Sequence, residues 1–137
     1  MSTSTTEDRW IVRAAVVVAS LPLVISVGLA VVRGEWMAGD RSIMGLFAHD
    51  VFTRNPPLLG TISTLGNYTE GGAQVHHLGP AQFYALAVPD WLAGGHPAGL
   101  LIGGLIINLL AIATVVRFAN RRLGALGAAG IALACVG

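Results

Sequence analysis

Charge is scarce in this sequence. Asp, Glu, Lys and Arg make up 11% of its 137 residues, against about 25% in an average soluble domain. Lysine is missing altogether: the eight basic residues are all arginine, a bias that carries no functional weight by itself. A net charge of +1 excludes the strongly basic surface that nucleic-acid binding requires, so no nucleic-acid partner is expected. Cysteine is nearly absent as well. Cys135 stands alone inside an apolar run, cannot form an intrachain disulfide, and reads as apolar filler. Hydrophobic residues make up 54% of the chain, with a mean hydropathy of +0.70. That composition points to a membrane protein before any motif is considered.

The apolar residues gather in three segments. Ala14 to Val32 carries no charge and would span about 28 Å as a helix, close to the roughly 30 Å of a hydrocarbon core. Pro22 falls inside it and can kink it, which neighbouring helices tolerate. The apolar region of a cleaved signal peptide is typically about 7–15 residues long, so this longer segment reads as an uncleaved anchor. Pro97 to Val116 is the second uncharged segment. Its Gly99, Gly103 and Gly104 offer a flat face for close helix contact, and its Asn108 suits an interhelical hydrogen bond or, less simply, a polar conduit. A third segment begins at Leu123 and is still apolar at Gly137, short of the about 20 residues a span needs. The expected fold class is an all-α membrane protein: two full transmembrane helices, 14–32 and 97–116, a truncated third over 123–137, and a long outer loop over 33–96. On this view the chain is the N-terminal portion of a larger multi-pass protein.

Arginine placement sets the orientation. Arg9 and Arg13 precede the first segment, and Arg117, Arg121 and Arg122 crowd the end of the second. Basic residues near membrane ends favour the cytoplasm. The N-terminus is therefore expected inside and the 33–96 loop outside the cell membrane. Residues 2–6 form a polar tip expected to be disordered.

The loop is patterned. In "RSIMGLFAHDVFTR", Ile43, Met44, Leu46, Phe47 and Val51 recur at helical spacing, with Ser42, Gly45, His49 and Thr53 on the other side. An amphipathic helix lying on the membrane surface is expected over about 41–54. Asp40 sits where an N-cap belongs, Asp50 and Arg54 are placed to pair, and Pro56-Pro57 should end the helix. The Gly-, Thr- and Ser-rich stretch that follows reads as irregular. Asn67-Tyr68-Thr69 within it matches a glycosylation sequon, a weak signal at three residues. Pro80 suits the start of a second interfacial helix over about 80–88, ending before Pro89. Phe83, Tyr84 and Trp91 are fitted to a membrane interface.

Two readings of the loop's polar residues compete. Asp40 is either a helix cap or a general base acting on an acceptor hydroxyl. His76 and His77 either order the loop through hydrogen bonds or, with Arg41 and Arg54, hold a phosphate leaving group. Neighbouring histidines have diverging side chains, so they make a poor pair of metal ligands. No cofactor is indicated; a divalent metal is left open.

"GDRSIMGLFAHDVFTRNPPLLGTISTLG" followed by "VHHLGPAQFYALAVPDWL" resembles the first outer loop of actinobacterial GT-C-type glycosyltransferases. These are multi-pass enzymes related to polyprenyl-phosphate-mannose and arabinofuranosyl transferases. The resemblance covers about residues 10–137. In that family an Asp soon after the first membrane helix belongs to the catalytic centre, and Asp40 occupies its place. A "PLLG" turn matches Pro57-Leu58-Leu59-Gly60. An H-P-G-P element matches His77-Leu78-Gly79-Pro80, with Leu78 in place of the usual proline. The resemblance implies a catalytic role for Asp40 and a pocket near His77 for a lipid-linked sugar. It further implies a polyprenyl-phosphate-linked sugar donor, a glycan or lipid acceptor, and the lipid bilayer as a partner. Because the family continues through many more membrane helices, this chain alone is expected to be inactive. The alternative is a non-enzymatic multi-pass protein, such as a transporter segment or an assembly subunit. A transporter more often carries its polar groups inside its helices, whereas here the ionisable residues collect in the outer loop.

Overall fold

The computed structural model describes residues 6–35, 40–63, 75–77 and 79–134, apart from the side chains of Asp40 and Arg41. The described residues are helical, with four helices in the order α1 (Thr6–Arg33), α2 (Asp40–Asp50), α3 (Ala81–Leu92) and α4 (Pro97–Ala134). They contain no β-strand beyond one isolated antiparallel bridge, Ile62 with His76. α1 and α4 are both long and apolar enough to cross a membrane. The chain divides into two compact units, residues 1–33 with 104–137, and residues 34–103. The sequon at 67–69, Leu78, Cys135 and the tip at 2–5 lie outside the described residues.

In the first unit, α1 begins well before the apolar segment at Ala14. Its polar first turn carries Glu7 and Asp8, and its last turn carries Arg33. Each sign sits at the helix end whose dipole favours it. Pro22 lies inside the helix without ending it. The core is built almost wholly from alanine: Ala15, Ala19, Ala119, Ala128 and Ala132, with Val116 fully buried among them. Small side chains let helix backbones approach closely, which is how helices associate where no hydrophobic effect drives them together.

The second apolar helix does not end with its uncharged segment at Val116. α4 continues through Arg117, Arg121 and Arg122, and the break falls at Gly124, with φ 75° and ψ 179°. That conformation is open essentially to glycine alone. On a straight helix Val116 and Ala132 would lie about 24 Å apart, yet both belong to one buried cluster with Ala15 and Ala19. The segment after Gly124 therefore folds back. Arg122 stays helical with its guanidinium over the Phe118 ring, 5.4 Å from the centroid.

In the second unit, α2 and α3 pack together and against the start of α4. Ala48, Leu86 and Leu100 form the buried centre, and the rings of Phe47 and Phe83 stack with centroids 5.0 Å apart. Both helices depart from the expected limits. α2 stops at Asp50 instead of running to Arg54. Thr53 donates its hydroxyl to the Asp50 carbonyl at 2.7 Å, and the Asn55 amide donates to Thr53 Oγ1 at 3.2 Å. These local bonds replace another helical turn, so Arg54 is not carried round to sit beside Asp50. α3 starts at Ala81 with Pro80 in the capping position, and it runs past Pro89 to Leu92. Proline in a helix interior usually kinks or breaks it; here the Pro89 ring is seated against glycine. A Cβ on Gly103 would come within 2.7 Å of Pro89 Cγ, and one on Gly99 within 2.7 Å of the Pro89 carbonyl oxygen. Gly104, expected to share that contact, has nothing within 4 Å.

Candidate functional site

The residues singled out from the sequence fall in three places within the second unit. Asp40 and Arg41 open α2, with side chains outside the described residues. Arg54 is exposed in the turn after α2. His76 and His77 lie on the short segment that pairs with residues 61–63: the His77 amide donates to the Thr61 carbonyl at 2.8 Å, and the Ser63 amide to the Val75 carbonyl at 2.7 Å. Among the described residues no hydrogen bond or ion pair joins Arg54 to either histidine.

The two histidines do different work. His76 donates from Nδ1 to the Gly60 carbonyl at 2.9 Å, which ties its ring to the "PLLG" turn. Gly60 is buried, and a Cβ there would collide with the His77 carbonyl group, 2.8 Å from the carbonyl carbon. The Gly-for-Cβ requirement and the His76 bond together hold the two loop segments in contact. His77 is exposed, and its imidazole makes no hydrogen bond among the described residues.

A cleft of about 520 Å³ lies between α2, the end of α3 and the start of α4. Ser42, Gly45, Leu46 and His49 give the α2 wall: three residues of the side expected to be polar, with Leu46 from the apolar set. The turn from α3 to α4 supplies the opposite wall. Gly94 and Gly95 there take φ of 62° and 76°, a left-handed conformation that side chains rarely allow. His96 follows as the cap of α4: its Nδ1 accepts the Ala98 amide at 3.2 Å and its carbonyl accepts the Gly99 amide at 2.8 Å. Pro97, at the first helical position, has no amide to satisfy.

A polar pair crosses this cleft. His49 Nδ1 donates to Asp90 Oδ2 at 3.1 Å, with the Asp90 side chain 5% exposed and that of His49 66% exposed. Sequence reasoning placed His49 on the polar side of its helix but gave Asp90 no role. A signal was present: Asp90 is the one carboxylate in the apolar stretch "FYALAVPDWLAGG", and a charged residue inside such a stretch is rarely buried without a partner. What the sequence could not supply was the partner, which comes from a different helix. Among the described residues no group of three or more His, Cys, Asp or Glu is placed to hold a metal.

No protein-family model, characterised protein or solved structure matches the chain.

Proposed function

We propose that this chain belongs to an integral membrane glycosyltransferase that moves a sugar from a polyprenyl-phosphate donor to an acceptor on the extracytoplasmic side. The observation that carries the reading is the second unit. The stretch between two helices of membrane-spanning length is a packed helical body with an open, partly polar cleft, where a mere connector would need neither. The resemblance of the loop supplies the chemistry. A hydroxyl of the acceptor attacks the anomeric carbon, the donor phosphate leaves, and a protein group takes the hydroxyl proton. The family pattern assigns that last role to Asp40 and gives the phosphate to the region of His76, His77, Arg41 and Arg54.

The transporter reading draws on polar groups inside the apolar helices. Two of these in α4 are turned to their own backbone: Asn108 donates to the Gly104 carbonyl at 2.8 Å, and Thr114 to the Leu110 carbonyl at 2.7 Å. Neither forms part of a buried polar track, which favours chemistry in the outer unit.

The test is transfer of a labelled sugar from polyprenyl-phosphate donors by membranes that contain the protein at its natural length, against membranes lacking it. Incorporation that depends on the protein supports the reading. Equal incorporation with and without it, across mannosyl and arabinofuranosyl donors, refutes it.

A further inference from the structure

His49 and Asp90 lie 41 residues apart in sequence and come from different helices. A carboxylate can only accept, so the shared proton belongs to Nδ1 of His49. In the neutral ring this leaves Nε2 without a proton, its lone pair pointing away from Asp90. Among the described residues His49 makes no second hydrogen bond. On the Gly95 side, even a built Cβ would reach only ordinary contact, 3.7 Å from His49 Cε1 and Nδ1. The ring itself is 66% exposed and lines the cleft. A clamp between α2 and α3 would need neither an exposed ring nor an open nitrogen. An imidazole fixed at one nitrogen by a buried carboxylate, with the other free, is the arrangement in which histidine acts as a general base.

We propose that His49, oriented by Asp90, accepts the proton of a hydroxyl group bound in the cleft between α2 and α3. This rests on the sugar-transfer reading, which supplies the rest of the step. The acceptor oxygen forms a bond to the anomeric carbon, and the bond from that carbon to the donor phosphate breaks with its electron pair leaving on the phosphate. The hydroxyl proton moves to Nε2 of His49. Asp90 then faces an imidazolium, whose charge it balances, and the proton is lost to water before the next turnover. Asp90 touches no substrate and is a positioning residue. The ligand class is a polyol acceptor, whose ring can lie against Leu46, Pro97 and Leu100 while Ser42 and His49 face its hydroxyls. Asp40, the family's carboxylate, is then not the proton acceptor.

The decisive variant is His49→Asn. Its amide nitrogen sits where imidazole Nδ1 sits, so the bond to Asp90 is retained while Nε2 is removed. Transfer from a polyprenyl-phosphate sugar is measured with the natural-length protein in membranes, beside Asp90→Ala and Asp40→Asn. The expected result is a fall in kcat of about 10²–10⁴-fold for His49→Asn, with KM little changed, and a clearly smaller loss for Asp40→Asn. A second readout needs no turnover. Diethyl pyrocarbonate acylates unprotonated imidazole nitrogen, and mass spectrometry resolves the four histidines. The exposed His49 should be modified faster than the half-buried His76 in the wild type; equal or slower modification would show that its Nε2 is not open and overturns the inference. Near-normal turnover in His49→Asn overturns the inference; if Asp40→Asn then collapses, sugar transfer stands and the proton goes to Asp40. Absence of transfer by the wild type overturns the inference and the sugar-transfer reading together. Asp90→Ala, which removes both the acceptor and its charge, should lower kcat at near-constant KM, and an unchanged kcat removes the positioning role of Asp90.

Discussion

Gly60 lies directly against the backbone carbonyl of His77. The contact leaves no room for a side chain, and it joins the "PLLG" turn to the histidine segment. Gly60→Ala should therefore force the two segments apart, at about 1–3 kcal/mol, the usual cost of overpacking. Faster amide hydrogen exchange at Ser63 and His77, whose amides bond across this pair, is the expected readout. Unchanged protection of both amides would show that the segments part without cost.

His76→Ala tests the same joint from its side-chain half. Removing the imidazole leaves the Gly60 carbonyl without that donor, at a cost of about 1 kcal/mol. The loss should show as increased protease nicking between α2 and α3. His77→Ala, which removes an exposed ring with no bond among the described residues, should leave nicking at the wild-type rate.

Gly103 and Gly104 are neighbours with opposite surroundings. A side chain on Gly103 meets the Pro89 ring, whereas one on Gly104 meets nothing within 4 Å. Gly103→Val should lower the midpoint of thermal unfolding in detergent. Gly104→Ala should leave it unchanged or raise it, since alanine is favoured over glycine in a helix by up to about 1 kcal/mol. Equal effects of the two would argue against the seating of Pro89.

Gly124 turns the chain back on itself. Gly124→Ala places a side chain in a conformation costing about 1–3 kcal/mol, and the relief available is to straighten the helix. Spin labels at the exposed positions Val115 and Leu133 should then move apart toward the about 27 Å of a continuous helix. An unaltered distance distribution would mean that the fold-back does not depend on glycine.

Arginine placement predicts the side of the membrane. With Cys135 replaced by serine, a cysteine at the exposed Asn55 should react with a membrane-impermeant maleimide in intact cells. Reaction only after lysis would reverse the orientation and place the cleft in the cytoplasm.

The helical class, the two membrane-length helices and the amphipathic character of α2 follow from the sequence by itself, because composition and periodicity act locally and every residue of a helix repeats the same backbone requirement. Helix ends were less legible. Pro89 lies within α3 because Gly103, on another helix, makes room for its ring and Gly99 for its carbonyl; Arg117 to Arg122 remain helical because Gly124 carries the turn. In the polar loop, the sequence pointed to His76 and His77 by their setting, and the structure gives the ring of His76 to the Gly60 carbonyl. The pairing of His49 with Asp90 was decided only by tertiary structure. Each residue alone is an ordinary polar position, and the carboxylate fixes a tautomer only once α2 and α3 pack through Ala48, Leu86 and the Phe47–Phe83 stack. A hydrogen bond depends on angstrom-scale distance between side chains on separate helices, and no local pattern in the sequence encodes that distance.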